Sequence, residues 1–260
     1  MGTATNVRSD MTNTRHDGVT AVVTGAAQGI GEATARRLAA EGASVVLTDL
    51  SPRLEGAAER IRAEGGRALA VRADVSDESS WTEVVEAARS TFGPVGVLVS
   101  NAYTFEQAPA HRTTLGSWEH QLAVNLTGAF LGVRACMEDL SAGGSIVLTS
   151  SVHAWFGLPG RPAYATTKGG LTSLTRQLAV EYGPHIRVNC VLPGPVLTAA
   201  WKDVGEEDRR ASVEQTAAGR FGDPDEVASV ISFLSSTEAS YVTGVSLPVD
   251  GGWSIYKASS

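Results

Sequence analysis

Tyr164 and Lys168 stand four residues apart in the run Tyr164-Ala-Thr-Thr-Lys168, thirteen residues after Ser151. On a helix that spacing puts a phenol and an ammonium on one face. A neighbouring cation favours the phenolate and draws a tyrosine pKa below its usual ~10. A hydroxyl able to give or take a proton near neutrality is what carbonyl reduction or alcohol oxidation needs. Such a pair is common on helix surfaces. It gains meaning here from Thr24-Gly25-Ala-Ala-Gln28-Gly29-Ile30-Gly31, far upstream.

The glycines lie where a strand should turn into a helix. Residues 19–24 are a continuous apolar run, the pattern of a strand buried on both faces, and 32–41 are rich in alanine, leucine and arginine. Glycine at such a turn lets the backbone bend tightly and approach a ligand, with the helix N-terminus aimed at a pyrophosphate. Asp49 follows the second strand, placed to accept hydrogen bonds from ribose hydroxyls and to repel a 2′-phosphate. No Lys or Arg stands at position 28 or 50, so NAD is favoured over NADP, with Arg53 as the counter-argument.

Positioning these groups takes a whole α/β domain. Strands are predicted at 19–24, 44–48, 67–72, 95–100, 145–150, 187–192 and 245–249. Helices are predicted at 32–41, 52–64, 77–92, 117–140, 163–182 and 224–235. Repeating βα units with strands this apolar imply a doubly wound, Rossmann-like parallel sheet with helices on both faces. Residues 1–17 are polar and read as a flexible tail, leaving 18–260 as one domain. The segment 194–222 breaks the rhythm, and its charged stretch 202–215 reads as a mobile lid over a substrate.

The chain resembles the short-chain dehydrogenase/reductase family from about residue 19 to 252. The likeness is carried by TGxxxGxG at 24–31, Asp74-Val75, Asn125-Leu-Thr-Gly128, Ser150-Ser151, Tyr164-x-x-x-Lys168, Pro193-Gly194 and Asp250-Gly251-Gly252. The resemblance implies that Tyr164 exchanges a proton with the substrate oxygen and that Lys168 lowers its pKa and holds the nicotinamide ribose. Ser151 would hydrogen-bond the same oxygen, and Asn125 would hold a water linking Lys168 to solvent. The cofactor set it implies is Gly25, Gln28, Gly29, Ile30, Gly31 and Asp49, with Asp74 and Val75 at adenine and Asn101 lining the cleft. Tyr164, Lys168, Pro193, Gly194, Val196 and Thr198 complete that set. It also implies a homotetramer assembled through the helices carrying Asn125 and Tyr164. One departure stands out: the family's NNAG is Ser100-Asn-Ala-Tyr103 here, so Tyr103 either intrudes on the cleft or points into solvent.

Composition narrows the class further. A net charge of −7 and a pI near 5.3 argue against nucleic acid or an anionic membrane as partner. The two cysteines, Cys136 and Cys190, show no metal spacing, which predicts no metal site and suits a reducing cytoplasm. His153, Trp155, Phe156, Leu197 and Trp201 are candidates for the substrate pocket, with aromatic walls suited to an apolar or ring-bearing substrate. Core packing is the alternative for the aromatics, and for His153 a buried histidine with its hydrogen bonds met. The resulting expectation is an NAD-dependent oxidoreductase interconverting a secondary alcohol and a ketone. A 3-oxoacyl thioester reductase and a sugar or polyol dehydrogenase are the rivals within enzymes. A nucleotide-binding sensor or scaffold is the rival outside them.

Overall fold

The structure, a computed structural model, describes residues 15–257. Seven strands form one parallel sheet: β1 (Thr20–Thr24), β2 (Ser44–Asp49), β3 (Arg67–Arg72), β4 (Val95–Ser100), β5 (Ser145–Thr149), β6 (Arg187–Pro193) and β7 (Ser246–Val249). Their order is β3-β2-β1-β4-β5-β6-β7. Between them run α1 (Gly29–Ala40), α2 (Leu54–Ala63), α3 (Glu78–Thr91), α4 (Leu115–Leu122), α5 (Gly128–Leu140), α6 (Pro162–Tyr182), α7 (Glu206–Glu214) and α8 (Pro224–Ser235). This is a single-domain Rossmann-like fold.

Alternate residues of each strand point to opposite faces, so one apolar run feeds two cores. Val22, Val46, Leu98, Ile146 and Val188 meet Trp81 of α3, Val133 of α5 and Leu171 of α6. Ala21, Val23, Val45, Val99 and Val191 meet Leu38 of α1, Leu54 of α2 and Ile231 of α8. Each fully buried aliphatic of this kind contributes about 1.5–3 kcal/mol, and the result is a stiff platform. Strand order reverses at β1, whose neighbours are β2 on one side and β4 on the other. A crevice at the carboxyl ends of the strands beside such a switch point is where open α/β sheets take ligands.

Two expectations are revised. The helix predicted over 117–140 is broken by a π-turn at Ala123–Thr127 between α4 and α5. A π-turn adds a residue to one turn and is commonly found at functional positions, and Asn125 sits in this one. The predicted tail 1–17 lies outside the described residues as far as residue 14. Its last residues are held in place. His16 is 1% exposed, its amide donates to the Glu41 carbonyl at 2.8 Å, and Arg15 pairs with the Glu41 carboxylate at 3.3 Å. Burial of Glu41 between Arg15, Arg37 and Ser232 makes those residues a structural clasp on α1 and α8.

Candidate active site

The glycine turn is closed from the side by Asn101. Its amide N–H donates to Thr24 Oγ1 at 2.8 Å, and its Nδ2 donates to the Thr24 carbonyl at 3.0 Å and to that of Gly25 at 3.3 Å. Gly31 has to be glycine: a Cβ there would sit inside van der Waals contact with the Gly25 carbonyl and 2.6 Å from Asn101 Nδ2. Gln28 precedes α1 without a side-chain cap, so first-turn amides of the helix are left for a ligand, the usual basis of anion binding. Thr198, in the segment after β6, lies over the turn, its methyl 3.5 Å from where a Gly29 side chain would begin.

Asp49 ends β2 beside the same turn. Its carboxylate accepts from the Ser51 amide at 2.8 Å and from the Ala27 amide at 3.2 Å, tying the acid to the glycine loop. Asp74 accepts from the Ser76 amide and hydroxyl. Val75 is buried, its carbonyl accepting from Trp81 Nε1 at 2.9 Å, and its side chain lies under Gly128. Pro193 ends β6, and the Gly194 amide donates to the Val249 carbonyl at 3.1 Å. Val196 is buried and bridges to Gly222. An uncapped helix, a glycine cradle and a carboxylate at the strand end together fit a dinucleotide.

Beside the cradle, Ser151 follows β5 while Tyr164 and Lys168 project from the first turns of α6. Lys168 is buried and its Nζ donates to the Thr149 carbonyl at 2.8 Å. Ser150 Oγ donates to the Lys168 carbonyl at 2.7 Å, locking helix to strand. Asn125 Nδ2 donates to Thr167 Oγ1 at 3.2 Å and to the Thr104 carbonyl at 3.0 Å, and its Oδ1 accepts from the Thr104 amide at 2.7 Å. The four residues of the expected catalytic set are thus brought together.

The electrostatics depart from the sequence argument. Burial pushes the Tyr164 phenol up to about 12, against the lowering effect of its hydrogen bond with Ser151. Lys168 does not pull it down. Its Nζ stands 5.5 Å from the Tyr164 ring centroid, and burial draws its own pKa down to about 8.

Around Tyr164 is an aromatic wall. Phe105 lies 5.3 Å, His153 5.7 Å and Tyr103 6.2 Å from its ring, all edge-on. Tyr103, though 51% exposed, does intrude on the cleft, its ring 5.5 Å from Lys168 Nζ. Trp253 meets His153 at 6.5 Å and Phe156 at 5.7 Å. Arg161 stacks over Phe105 at 4.9 Å. His153 is not the satisfied histidine of the plainer sequence reading, because its Nδ1 is buried with no hydrogen-bond partner. Burial, with Arg161 nearby, lowers its pKa to about 4. Trp155 and Leu197 are exposed, and Trp201 packs against Phe221 at 4.7 Å, away from Tyr164's ring contacts.

Sequence reasoning missed Phe105, Arg161 and Trp253. Arg161 precedes the predicted helix 163–182 and sits at the N-cap of α6 with non-helical φ −128° and ψ 35°, so helical spacing gave no signal for it. Trp253 directly follows Gly251-Gly252. Phe105 lies in an irregular stretch with no periodicity to announce it. Among the described residues no group of three or more His, Cys, Asp or Glu side chains could hold a metal. No helix among them is long and apolar enough to cross a membrane.

A family model described as enoyl-(acyl carrier protein) reductase matches residues 25–254, nearly the whole described chain. The chain belongs to the short-chain dehydrogenase/reductase family. This short-chain dehydrogenase/reductase is 37% identical over 242 residues to 2,5-dichloro-2,5-cyclohexadiene-1,4-diol dehydrogenase of Sphingobium indicum, covering 92% of this chain and 97% of that one. It is 41% identical over 237 residues to cis-4-hydroxycyclohexanecarboxylate dehydrogenase of Sinomonas cyclohexanicum, covering 90% and 95%. Among solved structures, a dehydrogenase/reductase from Sinorhizobium meliloti superposes with a TM-score of 0.89 at 35% identity, covering 94% of this chain and 98% of the other. The protein is an oxidoreductase, and the dehydrogenases of its family use nicotinamide cofactors.

Proposed function

We propose that this enzyme interconverts a ring-borne secondary alcohol and its ketone with NAD. The observation that carries the reading is the Tyr164 phenol, set beside Ser151 and walled by Tyr103, Phe105 and His153. An aromatic enclosure favours a flat or cyclic substrate over a flexible chain. The relatives whose substrates are cyclohexane and cyclohexadiene alcohols support the same class.

In reduction, Tyr164 Oη gives its proton to the ketone oxygen as the C–O bond becomes single. In oxidation it takes the hydroxyl proton as the C=O bond forms. Its high pKa keeps it protonated at neutral pH and so ready for reduction, whereas oxidation gains as pH rises. Ser151 Oγ hydrogen-bonds the same substrate oxygen, where charge develops. Lys168 supplies a buried positive charge beneath the two hydroxyls, and Asn125 holds the helix around it. The nicotinamide ring, when bound, gives or accepts the hydride. Gly25, Gln28, Gly29, Ile30 and Gly31 would hold the pyrophosphate, Asp49 the adenosine ribose, and Asp74 and Val75 the adenine. Asn101, Pro193, Gly194, Val196 and Thr198 would line the nicotinamide end.

Residues 194–222 serve as the lid. None of the nine residues of α7 is buried, so little anchors it to the core. A homotetramer through α5 and α6 belongs to the same reading, supported by an apolar groove of Leu126, Phe130, Gly170 and Leu174 on that face. So does a cytoplasmic location, since Cys136 and Cys190 are both free and buried.

The test is a fluorescence titration with NADH and with NADPH, followed by NAD reduction on cyclic and acyclic secondary alcohols. Tighter NADH and turnover of cyclic alcohols are expected. Tighter NADPH would overturn the role of Asp49, and a preference for acyclic substrates would overturn the ring class.

A further inference from the structure

Arg161 has a setting unlike the other arginines. Most of the described ones sit in ion pairs with Asp or Glu, or donate to backbone carbonyls. Arg161 does neither, and unlike Arg72, Arg112 and Arg176, which lack such partners but are exposed, it is partly buried against an aromatic ring. It occupies the N-cap position of α6 without a side-chain capping bond, is only partly exposed, and makes no hydrogen bond or ion pair from its guanidinium among the described residues. Its flat face rests on Phe105, and Phe105 rests on Tyr164. The stacking fixes the plane and leaves the edge free, with a fork of N–H donors matched to a carboxylate.

A second, independent feature lies on the same wall. His153 Nδ1 is buried without a partner, and the His153 ring packs against Tyr164 from another side. A buried polar atom left unpaired is destabilising, so beside the reacting group it marks where a ligand atom belongs. With its pKa held down by burial, His153 offers a neutral hydrogen bond and no charge. The positive charge of this end comes from Arg161.

We infer that Arg161 and His153 form a subsite for a carboxylate carried by the alcohol substrate, at the end of the molecule away from the reacting carbon. The carboxylate takes the guanidinium edge and the His153 Nδ1–H, while the ring spans the wall between them and Tyr164. The substrate class is therefore a hydroxylated cyclic carboxylic acid rather than a neutral alcohol. This rests on the alcohol-oxidoreductase reading above, and deepens it.

One experiment reads the subsite without turnover. Cyclohexanecarboxylate and cyclohexanecarboxamide are titrated calorimetrically into the whole protein, with and without NADH, for wild type and Arg161→Gln. The carboxylate should bind about 10- to 100-fold tighter than the amide in wild type, the size of one charge-assisted hydrogen-bonded contact. Arg161→Gln should erase that difference, and Arg161→Lys should restore part of it. Equal binding of the two probes in wild type, or a difference that survives Arg161→Gln, overturns the subsite. The companion assay compares oxidation of 4-hydroxycyclohexanecarboxylate with that of its methyl ester. Arg161→Gln should raise KM for the acid about 10- to 100-fold with kcat little changed, and leave the ester alone. Equal losses on acid and ester would show a structural role and sink the proposal. Carboxylate binding with no alcohol oxidised would instead overturn the oxidoreductase substrate class and leave the subsite standing.

Discussion

Lys168→Met should make the protein more stable at neutral pH and less stable in strong alkali. Burial lowers the lysine from its ordinary 10.5 to about 8. Between those values the unfolded chain holds a proton that the folded chain has lost, so stability rises with pH. Lys168's contribution is fully present above pH 10.5 and is lost as pH falls through about 8. At ~1.36 kcal/mol per pKa unit the penalty at pH 7 is about 3 kcal/mol. Methionine keeps most of the buried volume and carries no proton, so it removes that penalty. It also removes the 2.8 Å bond to the Thr149 carbonyl, worth about 1 kcal/mol. The variant should therefore gain about 2 kcal/mol at pH 7, roughly 4–8 °C in Tm, and lose about 1 kcal/mol above pH 10.5. Urea unfolding of both proteins from pH 7 to 11 gives the difference curve, and other groups cancel in it. A difference that keeps one sign across the range would refute the reasoning. The variant's turnover should meanwhile collapse.

Tyr164→Phe should retain NADH binding and lower turnover by about 10²- to 10⁴-fold, the usual range for a lost general acid/base; wild-type turnover would remove Tyr164 from the chemistry. Asp49→Ala should narrow the preference for NAD over NADP, read as the ratio of the two kcat/KM values, and an unchanged ratio would reject its ribose role. Tyr103→Gly should tighten NADH binding, because the ring stands against Lys168 and Tyr164; an unchanged Kd would place the ring outside the cofactor's path. In wild type, kcat/KM for oxidation should climb with pH up to the range where the phenol ionises, since burial raises Tyr164. A flat profile between pH 7 and 10 would contradict that.

The strands and the glycine turn were legible because their signals are local. An apolar run or a glycine spacing needs no knowledge of what packs on it. Helix α8 was readable for the same reason, with Asp223 and Glu226 forming a capping box around Pro224. The π-turn at Asn125 was not: Asn125, Thr127 and Gly128 are weak helix formers but do not specify a π-turn, and the break is stabilised by Thr104, a residue from another loop. The upward pKa of Tyr164 was hidden for a related reason. Spacing places Lys168 near Tyr164 but says nothing of burial, and here burial outweighs the nearby charge. Phe105 and Trp253 reach the wall only through the tertiary fold, so no window of sequence could pair them with Tyr164.

The clamp between Asn125 and Thr104 has a bearing on how such a site can change. The side-chain amide of Asn125 grips Thr104 by its backbone N–H and C=O alone. That grip does not depend on which side chains flank Thr104. Residues 103 and 105, whose rings shape the wall beside Tyr164, are thus free to be exchanged while the helix carrying Tyr164 and Lys168 stays tethered. The shape of the wall and the tether to α6 are held by different atoms, so the first can drift while the second is kept.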